Sequence, residues 1–342
     1  MTIKESVSLA KYTTLRTGGP ARFFAEVSTD DELQEALAFA KEKAVPYFIL
    51  GGGSNILMSD DGFPGLVIKM NMLGMDFNDR GDTVEAIAGA GENWDAFVAK
   101  TVEQGLSGLE NLSFIPGTVG AAPVQNIGAY GAEAKDTLAW VEAFDPKTEE
   151  YVTISNSECE FAYRDSIFKK PEHKHLVIMR VAFKLSKNKK PNASYKDLEV
   201  YFEEKGITEP SIQEVRNAVI EIRTRKLPSI DDFGTAGSFF KNPIIAKDLY
   251  EDLALRYPGL PSFPVSDEFV KIPLAWVLDN VCGVKGIRKG AVGVYKNQAL
   301  VLVNYGGATS REVKALADEL IALVKEKIGI VVSPEVEYVG AF

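Results

Sequence analysis

Three short segments carry residues able to bind or move charge. In Phe161-Ala-Tyr-Arg-Asp-Ser-Ile-Phe168, Arg164 and Asp165 sit inside an apolar frame. An arginine there either pairs with a neighbouring carboxylate or grips an anionic substrate, and the segment alone favours neither. In Ala236-Gly-Ser-Phe-Phe-Lys-Asn-Pro243, Ser238 follows a glycine and precedes two aromatics, with Lys241 and Asn242 behind it. It lacks the Gly-x-Ser-x-Gly elbow and any credible histidine base, so it is a poor hydrolase nucleophile but remains able to donate a proton. In Val332-Ser-Pro-Glu-Val-Glu337, Glu335 follows a proline at the start of a terminal strand; an exposed strand-end glutamate would look the same.

Two glycine-rich stretches could approach a ligand with bare backbone. Gly51-Gly-Gly-Ser-Asn55 directly follows the apolar run Pro46–Leu50. It lacks the third, wider-spaced glycine of a dinucleotide fingerprint and the lysine of a P-loop. What is left is either a backbone nest for an anion, helped by Ser54 and Asn55, or a plain tight turn. Ile115-Pro-Gly-Thr-Val-Gly-Ala-Ala-Pro-Val-Gln-Asn-Ile-Gly-Ala-Tyr-Gly131 has neither helical nor strand period. Such a loop lets backbone lie close against a flat or anionic ligand, or is an elaborate structural turn. Two such loops in one half of a chain suit a large nucleotide cofactor better than a small metabolite.

Composition removes other classes. The chain has 342 residues, enough for two or three domains at roughly 150 residues each. Its 38 basic and 48 acidic residues leave a net charge of −10, against broad phosphate binding, so no nucleic-acid partner is expected. Only two cysteines occur, Cys159 and Cys282, which excludes a disulfide scaffold and a cysteine zinc site and suggests reduced core thiols. The only histidines, His173 and His175, lie in a Lys/Glu/Pro stretch that reads as a surface loop, so no metal centre is expected. The opening residues lack the apolar core of a signal peptide and no apolar run nears ~18 residues, so a cytoplasmic protein without membrane contact is expected.

The elements that must position these residues alternate strand and helix at first. Thr29-Asp-Asp-Glu32 is a capping box before a helix on Leu33, Ala36, Leu37 and Ala40. Strands follow at Pro46–Leu50, Leu66–Ile68 and Thr83–Ala88, then a helix from Trp94 to Glu103. Strands dominate from Leu138 to Leu185. Ser211–Glu214 boxes a helix that Pro228 stops, and Leu227–Gly237 is the best boundary. Helices at Ala246–Leu255 and Leu274–Val281, strands at Ala291–Tyr295 and Ala299–Asn304, a long helix from Thr309 to Ile328 and a strand from Glu335 to Val339 complete the chain.

Together these segments resemble the UDP-N-acetylenolpyruvoylglucosamine reductase family, the flavoenzymes of peptidoglycan precursor synthesis known as MurB. The resemblance rests on Thr14-Leu-Arg-Thr-Gly-Gly-Pro-Ala21, Leu50–Leu57, Gly89-Ala-Gly-Glu-Asn-Trp94, Gly108-Leu-Glu-Asn-Leu112, Ile115–Gly131, Tyr163–Phe168, Arg225-Lys-Leu-Pro228, Ala236–Pro243, Gln298–Leu302 and Pro334-Glu-Val336. Ala193-Ser-Tyr-Lys-Asp-Leu198 looks like the extra loop of the longer subclass, whose tyrosine closes over the substrate. Phe263 departs from the tyrosine expected in some relatives.

The resemblance implies an α+β chain: a flavin-binding fold of the vanillyl-alcohol-oxidase or PCMH type, made of two α/β subdomains (residues 1–70 and 71–226). A separate α+β substrate domain (227–330) and a C-terminal strand (331–342) returning to the active site would follow. It implies non-covalent FAD held by Gly51, Gly53, Ser54, Asn55, Pro116, Gly117, Thr118, Gly120, Gln125, Asn126, Gly128, Ala129 and Tyr130. It places Tyr195, Lys226, Asn242, Lys285 and Gln298 at the substrate and gives catalytic roles to Arg164, Ser238 and Glu335. NADPH and the enolpyruvyl sugar nucleotide would use one pocket in turn, in a monomer, with Ser238 supplying the proton. A flavin oxidase of the same fold and a non-catalytic nucleotide-sugar sensor are the rival readings.

Overall fold

The computed structural model describes residues 1–342, which divide into two compact units. The first holds Met1–Val7, Ala21–Gly53 and Pro64–Thr224; the second holds Ser8–Pro20, Ser54–Phe63 and Arg225–Phe342. Two segments of the first 70 residues thus belong with the C-terminal part of the chain, and so does the terminal stretch beyond residue 330.

The first unit is built on two sheets. One has the strand order Lys4–Ser8, Pro20–Val27, Phe63–Met70, Tyr47–Leu50, the last two running parallel. The other is antiparallel throughout, in the order Glu150–Ser155, Leu138–Asp145, Val177–Ser186, Thr83–Gly89, Met75–Asp79. Helix α1 (Asp30–Glu42) presents Leu33, Ala36, Leu37 and Ala40 to the core, the face its periodicity sets. Its cap differs from the expected box in one bond: Thr29 Oγ1 accepts from Glu32 N, but Glu32 reaches past the N-cap to Ser28 N (2.7 Å). Helix α2 (Trp94–Glu103) is capped by Asn93, whose Oδ1 accepts from Ala96 N at 2.9 Å. Trp94, Phe97 and Phe183 form an aromatic group at the centre of one buried core that takes side chains from both sheets.

A satellite core joins α3 (Lys196–Lys205) to α4 (Ile212–Lys226) through Leu198, Tyr201, Phe202, Val215, Val219 and Ile222. The residues from Ala193 to Leu198, read from sequence as a loop, run into α3, and Tyr195 is its N-cap. A carboxylate staples this layer to α2. Asp95 accepts from both terminal nitrogens of Arg216 (2.7 and 3.0 Å) and from Phe114 N at 2.6 Å.

In the second unit, the long helix α7 (Ser310–Ile328) opens on the full Thr309/Glu312 box and closes at the left-handed Gly329. It buries Val313, Leu316, Leu320 and Val324 in a core shared with α5 (Lys247–Arg256), the short α6 (Leu274–Trp276) and the sheet Arg288–Lys289, Val292–Val294, Leu302–Asn304. A second sheet joins Ile244–Ala246, Phe269–Lys271 and Phe263–Pro264. The terminal strand is shorter than expected, Glu337–Val339, and pairs in parallel with Ile56–Met58. Cys159 is buried and Cys282 half-buried; both are free thiols. His175 is not the open loop residue expected: its Nε2 lies 3.3 Å from Asp145, both largely covered. No helix is long and apolar enough to cross a membrane.

Burial works against the Asp95 carboxylate, but the hydrogen bonds from Arg216 and Phe114 N, with the Arg216 and Arg223 charges, hold its pKa below the ordinary carboxylate range. A depressed folded-state pKa adds stability that is present above the unfolded value and lost as pH falls through the folded one. Asp95→Asn is therefore expected to lower unfolding free energy by about 2 kcal/mol at pH 7, an incompletely buried pair falling short of a fully buried one. Urea melts at descending pH should show the gap between variant and parent narrowing below pH ~4.

Candidate functional site

In the first unit two bare turns meet. Gly51, Gly52 and Gly53 end the strand Tyr47–Leu50, and a Cβ added at Gly52 would lie 2.6 Å from Gly117 Cα. No side chain fits there. The long loop is docked from its other side on the Gly89–Trp94 motif: Trp94 N donates to Gly117 O (3.1 Å), Val119 N to Glu92 O (2.9 Å) and Gly120 N to Ala90 O (3.0 Å). Lys69 Nζ donates to Gly51 O at 2.7 Å, and burial lowers the lysine's pKa while Glu26 opposes the shift. This places an ammonium directly behind the glycine turn.

The expected FAD residues of this unit fall into two kinds. Gly51, Gly53, Pro116, Gly117, Thr118 and Gly120 lie where these turns meet. Thr118 is 7% exposed and its hydroxyl has no hydrogen-bond partner, while Gly51 and Gly52 leave no Cβ in front of that stretch. An unpaired buried hydroxyl beside bare backbone is what an oxygen-rich cofactor would complete, so these residues fit FAD. Asn126 is a brace: its Nδ2 donates to Glu133 Oε2 (3.0 Å) and Ala162 O (3.1 Å), and its Oδ1 accepts from Lys135 N (3.0 Å). Asn126 and Tyr130 both take left-handed backbone, φ 45° and 47°, bending the loop around the short hairpin Gly128–Ala129 with Ala132–Glu133. Burial pushes the Tyr130 phenol up to about 12 against the pull of Arg223, so it stays protonated. Gln125 is half-buried in the same loop.

Arg164 occupies the tip of a two-residue turn closed by Ala162 N→Asp165 O (3.1 Å) and Asp165 N→Ala162 O (3.2 Å). Its φ of 54° is a conformation an arginine adopts at a cost of about 1 kcal/mol. Its Nη2 donates to Gly128 O at 2.8 Å, and a Cβ at Gly128 would lie 2.9 Å from Nη1. This bond ties the guanidinium to the loop carbonyl of Gly128. Tyr195, 42% exposed, meets Tyr130 edge-on with ring centroids 5.4 Å apart.

The second unit gathers Gln298, Ser238, Glu335 and Asn55 on successive backbone segments. Phe239 N donates to Leu300 O (2.8 Å), Glu335 N to Phe239 O (2.8 Å), Lys241 N to Ser333 O (3.1 Å) and Glu337 N to Asn55 O (3.0 Å). Ser238 bridges Val301 and Phe240 bridges Pro334. Ser238 and Glu335 thus lie on adjacent segments from distant parts of the chain, both half-buried. Asn55 Nδ2 donates to Glu335 O at 3.2 Å, and Gln298 Oε1 accepts from Leu300 N at 3.3 Å. Ser54 and Asn55, expected at the cofactor, belong to this unit. Asn242 spends its Oδ1 on Leu274 N (2.9 Å) at the start of α6, and Lys285 pairs with Asp279. Lys226 ends α4, half-buried. Register sets Phe263 opposite Lys271, which no sequence signal singled out; only the strand pairing puts a cation beside the position of the missing tyrosine.

Comparison with known proteins bears on both units. A family model described as FAD binding domain matches residues 21–155, and one for the UDP-N-acetylenolpyruvoylglucosamine reductase C-terminal domain matches residues 228–339. UDP-N-acetylenolpyruvoylglucosamine reductase of Pseudomonas putida is 42% identical over 328 residues, 96% of either chain. That of Flavobacterium johnsoniae is 42% identical over 341 residues, covering 99% of this chain and 100% of the relative. The crystal structure of UDP-N-acetylenolpyruvylglucosamine reductase from Thermus caldophilus matches with a TM-score of 0.69 at 28% identity, over 99% of this chain and all of that one.

Thr118→Val removes only the unpaired hydroxyl and keeps the shape. Thermal unfolding of the flavin-free protein should be unchanged or slightly raised, whereas the Kd for FAD, read by quenching of flavin fluorescence, should rise roughly fivefold or more. An unaltered Kd would remove Thr118 from the cofactor contacts.

Proposed function

This chain belongs to the UDP-N-acetylenolpyruvoylglucosamine reductase family, and on that premise we propose how its own residues divide the reaction. It is an FAD-dependent reductase of UDP-N-acetylenolpyruvoylglucosamine, a UDP-N-acetylmuramate dehydrogenase with a PCMH-type flavin fold and a separate α+β substrate domain. FAD, which Gly51, Gly53, Pro116, Gly117, Thr118 and Gly120 would hold, would take hydride from NADPH in our reading and would supply it to the terminal carbon of the enol ether. NADPH and the sugar nucleotide use one pocket in turn, and the enzyme works as a monomer. Tyr195, Lys226, Asn242, Lys285 and Gln298 hold the nucleotide.

Arg164 carries the charge of the second half-reaction. Hydride arrival leaves negative charge on the neighbouring carbon and on the carboxylate attached to it. A planar guanidinium meets a carboxylate with two parallel N–H bonds, which an ammonium cannot do. The observation that supports this role above others is the left-handed turn: the chain accepts backbone strain to present this side chain beside Gly128.

Ser238 gives its proton to the charged carbon, completing the lactyl ether, and recovers one from solvent. A hydroxyl is a weak acid, but a carbanion-like carbon is a strong base and transfer depends on their match in the transition state. Lys241, three residues on, is the nearest cation in sequence able to steady the alkoxide. An ionised Glu335 would repel the developing charge, so Glu335 acts as the neutral acid or orients another donor. Its backbone tie to Phe239 keeps it on the segment beside Ser238.

Anaerobic stopped-flow absorbance separates the two halves: bleaching by NADPH, then recovery on adding the enolpyruvyl substrate. Bleaching by NADPH without recovery would sink the assignment. For Arg164→Lys, recovery should slow 10²-fold or more, roughly the loss from one preorganised donor, while bleaching changes little. Equal damage to both halves would return Arg164 to a structural role.

Ser238→Ala should fold, bind FAD and bleach with NADPH, yet recover orders of magnitude more slowly; Ser238→Cys should keep more activity because a thiol also donates a proton. Normal recovery in the alanine variant would end the proton-donor role. If Ser238 only shaped its turn, the alanine variant would lose roughly 1 kcal/mol of stability and little activity.

A further inference from the structure

The motif Gly108-Leu-Glu-Asn-Leu112 has no part in the chemistry above, yet it is held with unusual firmness. Glu110 is 2% exposed, accepting from Ser107 Oγ (2.9 Å) and Gly108 N (2.6 Å). Ser113 Oγ donates to Glu110 O (2.6 Å), and Trp94 Nε1 donates to Leu112 O (2.8 Å). The 3-10 turn Glu110–Leu112 is thus tied fore and aft to the buried core.

From this platform Asn111, 3% exposed, sends both amide hydrogens outward. One goes to Tyr130 O and the other to Asn192 O, each at 2.8 Å. The first carbonyl lies in the flavin loop and the second in the loop that carries Tyr195. Asn192 returns the link, its Nδ2 donating to Gly131 O at 3.3 Å, while its Oδ1 accepts from Ser194 N (3.1 Å) and Ser194 Oγ (2.7 Å) in a tight turn. Tyr195 is the next residue, and its ring rests edge-on against Tyr130. One buried amide therefore fixes the Tyr195 loop to the flavin loop.

We propose that Asn111 is a positioning residue for the substrate: its two hydrogen bonds hold the loop that carries Tyr195 against the flavin loop, favouring the arrangement in which Tyr195 meets the sugar nucleotide. The proposal rests on the reading of Tyr195 as a substrate contact. A tethered loop has less freedom to lose on binding than a free one, so the benefit appears as affinity. Asn111→Ala removes a donor from both carbonyls and frees the loop, and its effect on substrate binding passes through Tyr195.

The test is a double-mutant cycle on the oxidised, FAD-loaded enzyme, with enolpyruvyl-substrate binding read from the flavin absorbance change. Asn111→Ala should raise Kd roughly five- to tenfold, the worth of about one hydrogen bond. Asn192→Ala, an exposed change, should raise it less. In a Tyr195→Ala background neither substitution should weaken binding further. An Asn111 effect that persists there in full would overturn the proposal, since a general loosening of the fold would not need the tyrosine. If Tyr195→Ala alone leaves Kd unchanged, the substrate role of Tyr195 has failed and the proposal falls with it. Should Asn111→Ala not retain FAD, the Asn192→Ala arm of the cycle decides by the same criterion.

Discussion

The first unit depends on one steric constraint: backbone must touch backbone between residues 51–53 and 116–118. With Gly52 and Gly117 this close, any side chain at position 52 would drive the turn and the loop apart. Their contact fixes where the long loop starts, and the hydrogen bonds to the Gly89–Trp94 segment then fix its depth. Asn126 fixes its far end by binding Ala162 O, and Ala162 begins the turn that carries Arg164. The arginine is thus located by a chain of contacts that begins at two missing side chains.

The two units use different means for similar ends. In the first, the candidate cofactor-binding groups are mostly backbone, exposed by glycine and braced by buried amides such as Asn126 and Asn111. In the second, they are side chains on short strand segments, and sheet pairing sets their spacing: Ser238 lies between the segment of Gln298 and that of Glu335 because Phe239 bonds to both neighbours. Loop atoms braced this way can follow the outline of a large cofactor, whereas strand pairing sets a few side chains at fixed intervals.

What the sequence made legible was what local physics decides. Capping boxes with a 3.6-residue apolar period located α1, α4 and α7, because cap and stripe lie within one segment. Helix α3 was missed: Leu198, Tyr201 and Phe202 are a sparse stripe that becomes a buried face only against α4. The strand Lys4–Ser8 was missed because it is an edge with polar residues on both faces. Among site residues, motif order identified Arg164, Ser238 and Glu335 as candidates, but the left-handed turn that carries Arg164 and its bond to Gly128 O were not legible there. The bracing work of Asn126 and Asn111 was invisible, since it depends on carbonyls as many as 36 and 81 residues away. Lys271 was hidden for the same reason, its meaning residing in a cross-strand register.

The pairing of Ile56–Met58 with Glu337–Val339 joins parts of the second unit about 280 residues apart. A ribosome delivers the first of these strands long before the second exists. Until translation ends, Ile-Leu-Met stands as an unpaired apolar edge, the kind of segment that seeks other chains. Nearly all of the first unit can be complete by then, since its sequence ends at Thr224. The growing chain therefore carries a finished, cofactor-shaped half together with an unsatisfied strand, and its time of greatest exposure to aggregation or chaperone capture is the interval in which the last third is made.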